Sequence, residues 1–278
     1  MDLTVSASQR VAPVRSVNAL RVAQMFGLGL DARAPITLLP EVTVPIEPAS
    51  LVFVTGPSGG GKSTLLRLLR QRLKASAGDE ATTSDEQPPT VIEFDALSLP
   101  EGGAVVDAFG QAPLASVLRW LALAGLNEAR LMLRRPGELS EGERARLRLA
   151  KVVAKVEARV GTSASPHASQ QNMRPTSQRL DLPGDCPEAV VLADEFTATL
   201  DRQTAAVVAH QLRKWSRRLP VCVLVATTHD DLLEPLAPDV LIETSLDREI
   251  TISTHKDAPS HENPSPDNTP DHNTIHRT

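Results

Sequence analysis

The sequence predicts an α/β fold, and three observations carry that expectation. Leu51–Thr55, Ala189–Ala193 and Val221–Ala226 are short, continuous apolar runs, the pattern of buried strands. Residues 64–73 and Arg202–Arg217 carry apolar side chains at helical spacing, among them Leu65, Leu66, Leu68, Leu69 and Leu73. Between the first strand and the first helix lies a glycine-rich stretch, G-P-S-G-G-G-K-S-T over Gly56–Thr64, a tight turn from a strand directly into a helix.

Composition bounds the function classes. A chain of 278 residues that is 41% hydrophobic can bury one sizeable core, as one domain or two small ones. With 29 basic and 34 acidic side chains the net charge is −5, so no global basic field argues for nucleic acid. Two cysteines, Cys186 and Cys222, make no disulfide framework and point to a reducing compartment. The start M-D-L-T-V-S-A-S-Q-R lacks the basic and apolar regions of a signal peptide. No apolar run reaches the roughly 18 residues of a membrane span; the nearest, Ala115–Leu126, contains Arg119 and Trp120. The expectation is a soluble, cytoplasmic protein.

Along the chain, residues 1–20 show no strong pattern, and 1–35 read as an N-terminal extension. Thr43–Ile46 alternates as a strand does, and Val91–Phe94 is a further short strand. Residues 107–133 look mostly helical, within a helical region of about 107–157. Two stretches are small, polar and Pro- or Ser-rich, about 75–90 and 161–187, and read as mobile inserts. Residues 254–278, with four prolines and four of the seven histidines, read as a disordered tail rather than a metal site. The expected domain spans 36–253.

Three stretches carry chemistry. Gly56–Thr64 satisfies G-x-x-x-x-G-K-[ST] at Gly56, Gly61, Lys62 and Ser63, in the required strand–loop–helix context. Such a loop (Gly56, Pro57, Ser58, Gly59, Gly60, Gly61, Lys62, Ser63, Thr64) turns consecutive backbone N–H groups toward one anion, and the helix start adds its partial positive charge. Lys62 is expected on the β- and γ-phosphates and the Ser63 hydroxyl on Mg²⁺. V-V-L-A-D-E, Val190–Glu195, is a buried strand ending in two carboxylates. Asp194 suits Mg²⁺, and Glu195, one step on, suits a water attacking the γ-phosphate. L-S-E-G-E, Leu139–Glu143, has the spacing of a capping box between Ser140 and Glu143 before an apolar-periodic helix. Gly142 inside that box is a poor first-turn residue unless something must come close.

Together with T-L-D (Thr199–Asp201) and T-T-H-D (Thr227–Asp230), these motifs resemble the ATP-binding-cassette (ABC) ATPases, in the family's order and over residues 36 to about 245. A-D-E-F-T-A-T-L-D-R-Q-T-A and L-A-P-D-V-L-I resemble the stand-alone microbial branch, some members of which are fused to an acetyltransferase-like domain. The resemblance implies a mainly parallel sheet of P-loop, RecA-like type with an antiparallel β subdomain and an inserted helical subdomain. It implies ATP and Mg²⁺ as cofactors. It makes Ser140 and Gly142 the signature residues that reach the γ-phosphate held by an opposite subunit, although Glu141 and Glu143 stand where Gly and Gln are commoner. It makes His229 the switch histidine and Asp201 the residue that crosses the dimer. The family's glutamine after the third strand is matched by Gln111 or, closer to the strand, Asp95. The adenine-stacking aromatic has Phe26 as its early candidate besides Phe53 in the strand.

The implied function is an ATPase that forms a head-to-tail homodimer on ATP binding, hydrolyses it and drives change in an unidentified partner. The alternatives are a transporter subunit whose membrane partners are encoded separately, and a non-hydrolytic nucleotide-gated module, against which Glu195 argues. A nucleic-acid role lacks heptads or a basic stripe; the row Arg144, Arg146, Arg148, Lys151, Lys155 reads as a solvated helix face.

Overall fold

The computed structural model describes residues 1–10, 16–27, 35–76, 88–163, 186–198 and 200–254. Most of the two expected inserts, the tail beyond Thr254, and Thr199 lie outside the described residues.

The centre is a six-stranded sheet built from β3 (Ser50–Thr55), β4 (Thr90–Glu93), β5 (Ala189–Ala193), β6 (Val221–Ala226), β7 (Val240–Thr244) and β8 (Ile250–Thr254). Its order is β4-β5-β6-β3-β7-β8, parallel throughout except for the antiparallel edge pair β7–β8. Every residue of β3, β5 and β6 is buried, because a parallel sheet is covered on both faces. Side chains alternate between two cores as a strand's period of two requires. Leu51, Phe53, Val191 and Val223 face one core; Val52, Val54, Val190 and Leu224 face the other.

The second core is closed by α2 (Lys62–Ser76) and by a separate antiparallel pair, β1 (Asp2–Arg10) with β2 (Pro35–Pro45). β1 falls in the segment expected as an N-terminal extension, yet Val5 is buried, with Leu3 and Ala7 packed beside it. A helix, α1 (Val17–Met25), capped by the Ser16 hydroxyl, lies between the two strands in the chain. The first core is filled by α3 (Leu114–Leu123), α5 (Glu141–Ser163) and α6 (Arg202–Ser216), with short α4 (Ala129–Met132) and α7 (Leu233–Leu236) at its margins.

The region 107–133 is mostly helical, as its apolar spacing predicts, but in separate pieces. Val105–Phe109 is a 3-10 turn, and α3 starts only after Gly110, at φ 67°, and Pro113. Gly125, at φ 78°, then stops it before α4. α2 and α5 are longer than their apolar periodicity at both ends, because their flanking polar residues are helical too. Phe53 is fully buried, whereas Phe26 is 73% exposed at the end of α1 and is not a core ring. Cys222 is buried; burial pushes its thiol up to about 12, so it is inert as a nucleophile. Among the described residues no helix is long and apolar enough to cross a membrane.

Candidate functional site

β3 delivers the loop Gly56–Gly61 to the start of α2 at the carboxyl end of the sheet, where open α/β sheets place ligands. Gly56 sits at φ 134°, and a Cβ there would fall on the carbonyl oxygen of Thr244, at the end of β7. A Cβ on Gly60 would lie 2.7 Å from Thr244 Oγ1. β7 thus presses the loop from beneath, and only glycine fits at that contact. Lys62 is 8% exposed, and its ammonium donates to the carbonyls of Gly56 (2.7 Å) and Pro57 (2.8 Å), spanning the loop. Burial lowers its pKa, opposed by the charges of Asp194, Glu195 and Asp230.

The two carboxylates at the end of β5 meet this loop. Ser63 Oγ donates to Asp194 Oδ1 at 3.1 Å. Glu195, at φ 48°, turns the chain sharply: its N–H donates to Asp194 Oδ1 (3.0 Å) and its side chain is exposed. The buried Phe196 anchors this turn, edge-on to Phe94 at 5.6 Å, with its N–H on the Ala226 carbonyl. Asp95, just after β4, accepts the Asp194 N–H at 3.0 Å through Oδ2. Burial raises the Asp95 pKa, against the lowering pull of that N–H. Gln111 is exposed in the turn after Phe109 and does not line the cleft, so of the two residues weighed at this position Asp95 is the one in contact with the site.

These groups surround a cleft of about 400 Å³ lined by Ser58, Gly59, Lys62, Ser63, Glu195 and Thr227 among others. Thr227 and Thr228, after β6, form its far wall. His229 follows them: its N–H donates to Thr227 Oγ1 (3.2 Å), and its ring is exposed outside the lining. Thr55 Oγ1 donates to Asp230 Oδ1 at 2.6 Å, tying the T-T-H-D segment to the end of β3. The sequence reading used only the histidine of that segment; its threonines line the cleft. Ser63 and Asp194 are two hard oxygen donors beside a phosphate loop, which fits Mg²⁺, an ion that keeps waters and takes one or two protein oxygens. No group of three or more His, Cys, Asp or Glu side chains suited to a metal occurs among the described residues.

Ser140, Gly142 and Asp201 do not join the cleft of their own chain. The capping box forms: Ser140 N–H donates to Glu143 Oε2 (2.8 Å) and Glu143 N–H to Ser140 Oγ (3.3 Å). Gly142 has a reason within the chain as well, since a Cβ there would lie 2.9 Å from Thr204 Cγ2 on α6. Asp201 is the N-cap of α6, accepting the Thr204 N–H at 3.0 Å.

Residues 39–158 match the family model described as ABC transporter, a span that holds both the phosphate loop and L-S-E-G-E. The hemin import ATP-binding protein of Methylobacillus flagellatus is 27% identical over 227 residues, 73% of this chain and 72% of the relative. A lipoprotein-releasing system ATP-binding protein of Rhodospirillum rubrum is 27% identical over 77% of this chain and 90% of the relative. The chain carries the motifs of the ABC ATPases in order and is similar to ABC ATP-binding proteins along most of its length. A methionine import ATP-binding protein of Pseudomonas entomophila is 30% identical over 74% of this cassette, which spans 59% of that longer protein. Among solved structures, a dimeric bacterial ABC transporter cassette superposes with a TM-score of 0.50 at 19% identity, covering 80% of this chain and 92% of that one. At that identity the likeness bears on the fold alone. It agrees with the mainly parallel sheet and added antiparallel and helical parts of this cassette.

Proposed function

We propose that this cassette binds ATP at the loop Gly56–Thr64 and hydrolyses it within a head-to-tail homodimer, each ATP lying between one subunit's loop and the other's Ser140–Gly142. One observation supports this most. Lys62, Ser63, Asp194 and Glu195 converge on one cleft, while the exposed Ser140 and the half-buried Gly142, at a helix start, line no part of it. A helix N-terminus that lines no part of its own chain's site is free to serve another chain's anion.

The loop N–H groups and Lys62 hold the phosphates. Mg²⁺, held by the Ser63 hydroxyl and the Asp194 carboxylate, would offset charge on the β- and γ-oxygens. Glu195 takes a proton from water as its oxygen attacks the γ-phosphorus. The bond to the β,γ-bridging oxygen breaks, and ADP leaves with its electron pair. Asp95 keeps the Asp194 backbone fixed, and His229 senses the γ-phosphate. ATP would close the dimer and hydrolysis open it, moving a partner in the cytoplasm.

A second reading rests on the relatives named for hemin and methionine import. In it, the driven partner is a membrane permease encoded separately. Purification of the Glu195→Gln cassette from its native host with ATP distinguishes the two: a co-purifying permease supports transport, and a soluble partner supports the first. Failure of ATP to produce any dimer of Glu195→Gln would overturn both as homodimer mechanisms.

A further inference from the structure

The two elements that the proposed dimer sends across its interface pack against each other, and one side chain touches both of their starts. Thr204 is the third residue of α6. Its N–H meets Asp201 Oδ1 at 3.0 Å, and its hydroxyl also bonds the Asp201 carboxylate, which these contacts hold below its ordinary pKa. The methyl of the same side chain lies where a Cβ on Gly142 would come within 2.9 Å. Thr204 thus grips the start of α6 with its oxygen and the start of α5 with its methyl. A β-branched side chain has few rotamers in a helix. With the hydroxyl committed to Asp201, the methyl cannot swing away without breaking that bond. Glycine at 142 is what lets the two helix starts approach this closely.

We propose that Thr204 is a positioning residue for the ATP site of the opposite subunit, seating Ser140–Gly142 against Asp201 so that both cross the interface as one rigid unit. The proposal rests on the head-to-tail reading above. The consequence is directional. Thr204 in one chain serves the site built on the other chain's phosphate loop, and its own cleft lies elsewhere, at β3, β5 and β6. A helix-capping role alone has no such direction, because it would affect the folding and activity of the chain that carries the change.

The test uses mixed dimers. Intact chains are combined with an excess of Glu195→Gln chains, so each intact loop is paired with a chain that binds ATP and does not turn it over. Turnover per intact chain is then measured at saturating ATP. Placing Thr204→Ala in the Glu195→Gln chain is expected to lower turnover at the intact loop by tenfold to about a hundredfold, the scale of loss for a displaced catalytic contact. Placing it in the intact chain should leave the rate within about twofold. Thr204→Ser, which keeps the cap hydroxyl and loses only the methyl, is run in parallel, with thermal melting of each chain, so that misfolding of the alanine variant does not decide the result. It should lower turnover in the same direction, from the Glu195→Gln chain only. Equal losses from either chain, or no loss from the Glu195→Gln chain, overturn the proposal. Ser140→Arg in the Glu195→Gln chain is the control for the dimer itself. If it leaves turnover unchanged, the head-to-tail reading falls and the role of Thr204 with it; if it stops turnover while Thr204→Ala and Thr204→Ser do not, only the role of Thr204 falls.

Discussion

Lys62 is nearly buried, yet its charge is spent on the two carbonyls of its own loop and faced by three carboxylates. Among the described residues that line the cleft it is the one cation, its ammonium held over the start of the loop. Lys62→Ala is expected to remove measurable ATP binding in calorimetry, and retention of the parent affinity would remove the phosphate-loop assignment. Glu195→Gln keeps the shape at the end of β5 and loses the charge that takes the proton. Its turnover should fall about a hundredfold or more with ATP affinity unchanged, as expected for a general base. These residues were legible because a phosphate loop fixes residue types at fixed spacing. Others were not. Asp95 was weighed beside Gln111 through the resemblance alone; its bond to a backbone N–H ninety-nine positions away has no spacing that announces it. Thr204 acts by a methyl that meets a glycine on another helix, a contact that exists only once α5 and α6 have packed. Gly142 was read only as a close approach to a ligand, and the Thr204 methyl gives it a second, internal reason.

Among the elements, α6 is bound to the sheet by a buried fork. Arg213, only 5% exposed, donates to Asp239 through Nη1 (2.7 Å) and Nη2 (2.9 Å), and the Leu51 N–H donates to the same carboxylate at 2.8 Å. One carboxylate therefore ties α6 and the segment before β7 to the start of β3. Removing it leaves a buried guanidinium unpaired, so Asp239→Ala should cost about 3–5 kcal/mol in chemical denaturation. Burial alone would raise the Asp239 pKa; the Arg213 fork and the Leu51 N–H outweigh burial and lower it. A carboxyl with a lowered folded pKa contributes stability that is full above its ordinary value of 3.8 and is lost as the pH falls through the folded value. Asp239→Asn should accordingly lose less stability than the parent as acid is added below that point. The strands of the central sheet were legible because they are buried on both faces and read as unbroken apolar runs. β1 was missed although Leu3, Val5 and Ala7 alternate with polar residues as a one-sided strand should. Its apolar residues are few, and its partner strand lies on the far side of α1 in the chain. The region from 107 is mostly helical as its apolar spacing predicts, and the glycine and proline at 110 and 113 break it into separate pieces.

At the scale of the whole molecule, the cleft is complete on one side only. It has a loop, a cation, two carboxylates and a threonine wall, all from the ends of β3, β5 and β6. The start of α5, capped by Ser140 and Glu143, and the start of α6 lie outside it, in contact with each other through Thr204. A molecule arranged this way should associate when ATP is present to bridge the halves. Glu195→Gln, which retains ATP, is expected to shift to a dimer with ATP, and ADP, lacking the γ-phosphate that the second chain would contact, should leave it monomeric. Adding Ser140→Arg should allow ATP binding and prevent the dimer, because the long side chain occupies the space the phosphate needs while the loop and Lys62 are untouched. Light scattering at several protein concentrations separates these states by mass. If Glu195→Gln stays monomeric at saturating ATP, or if the Ser140→Arg double mutant dimerises as well as its parent, then the start of α5 caps a helix and nothing else in the isolated protein. The missing half of the site would have to come from a different subunit.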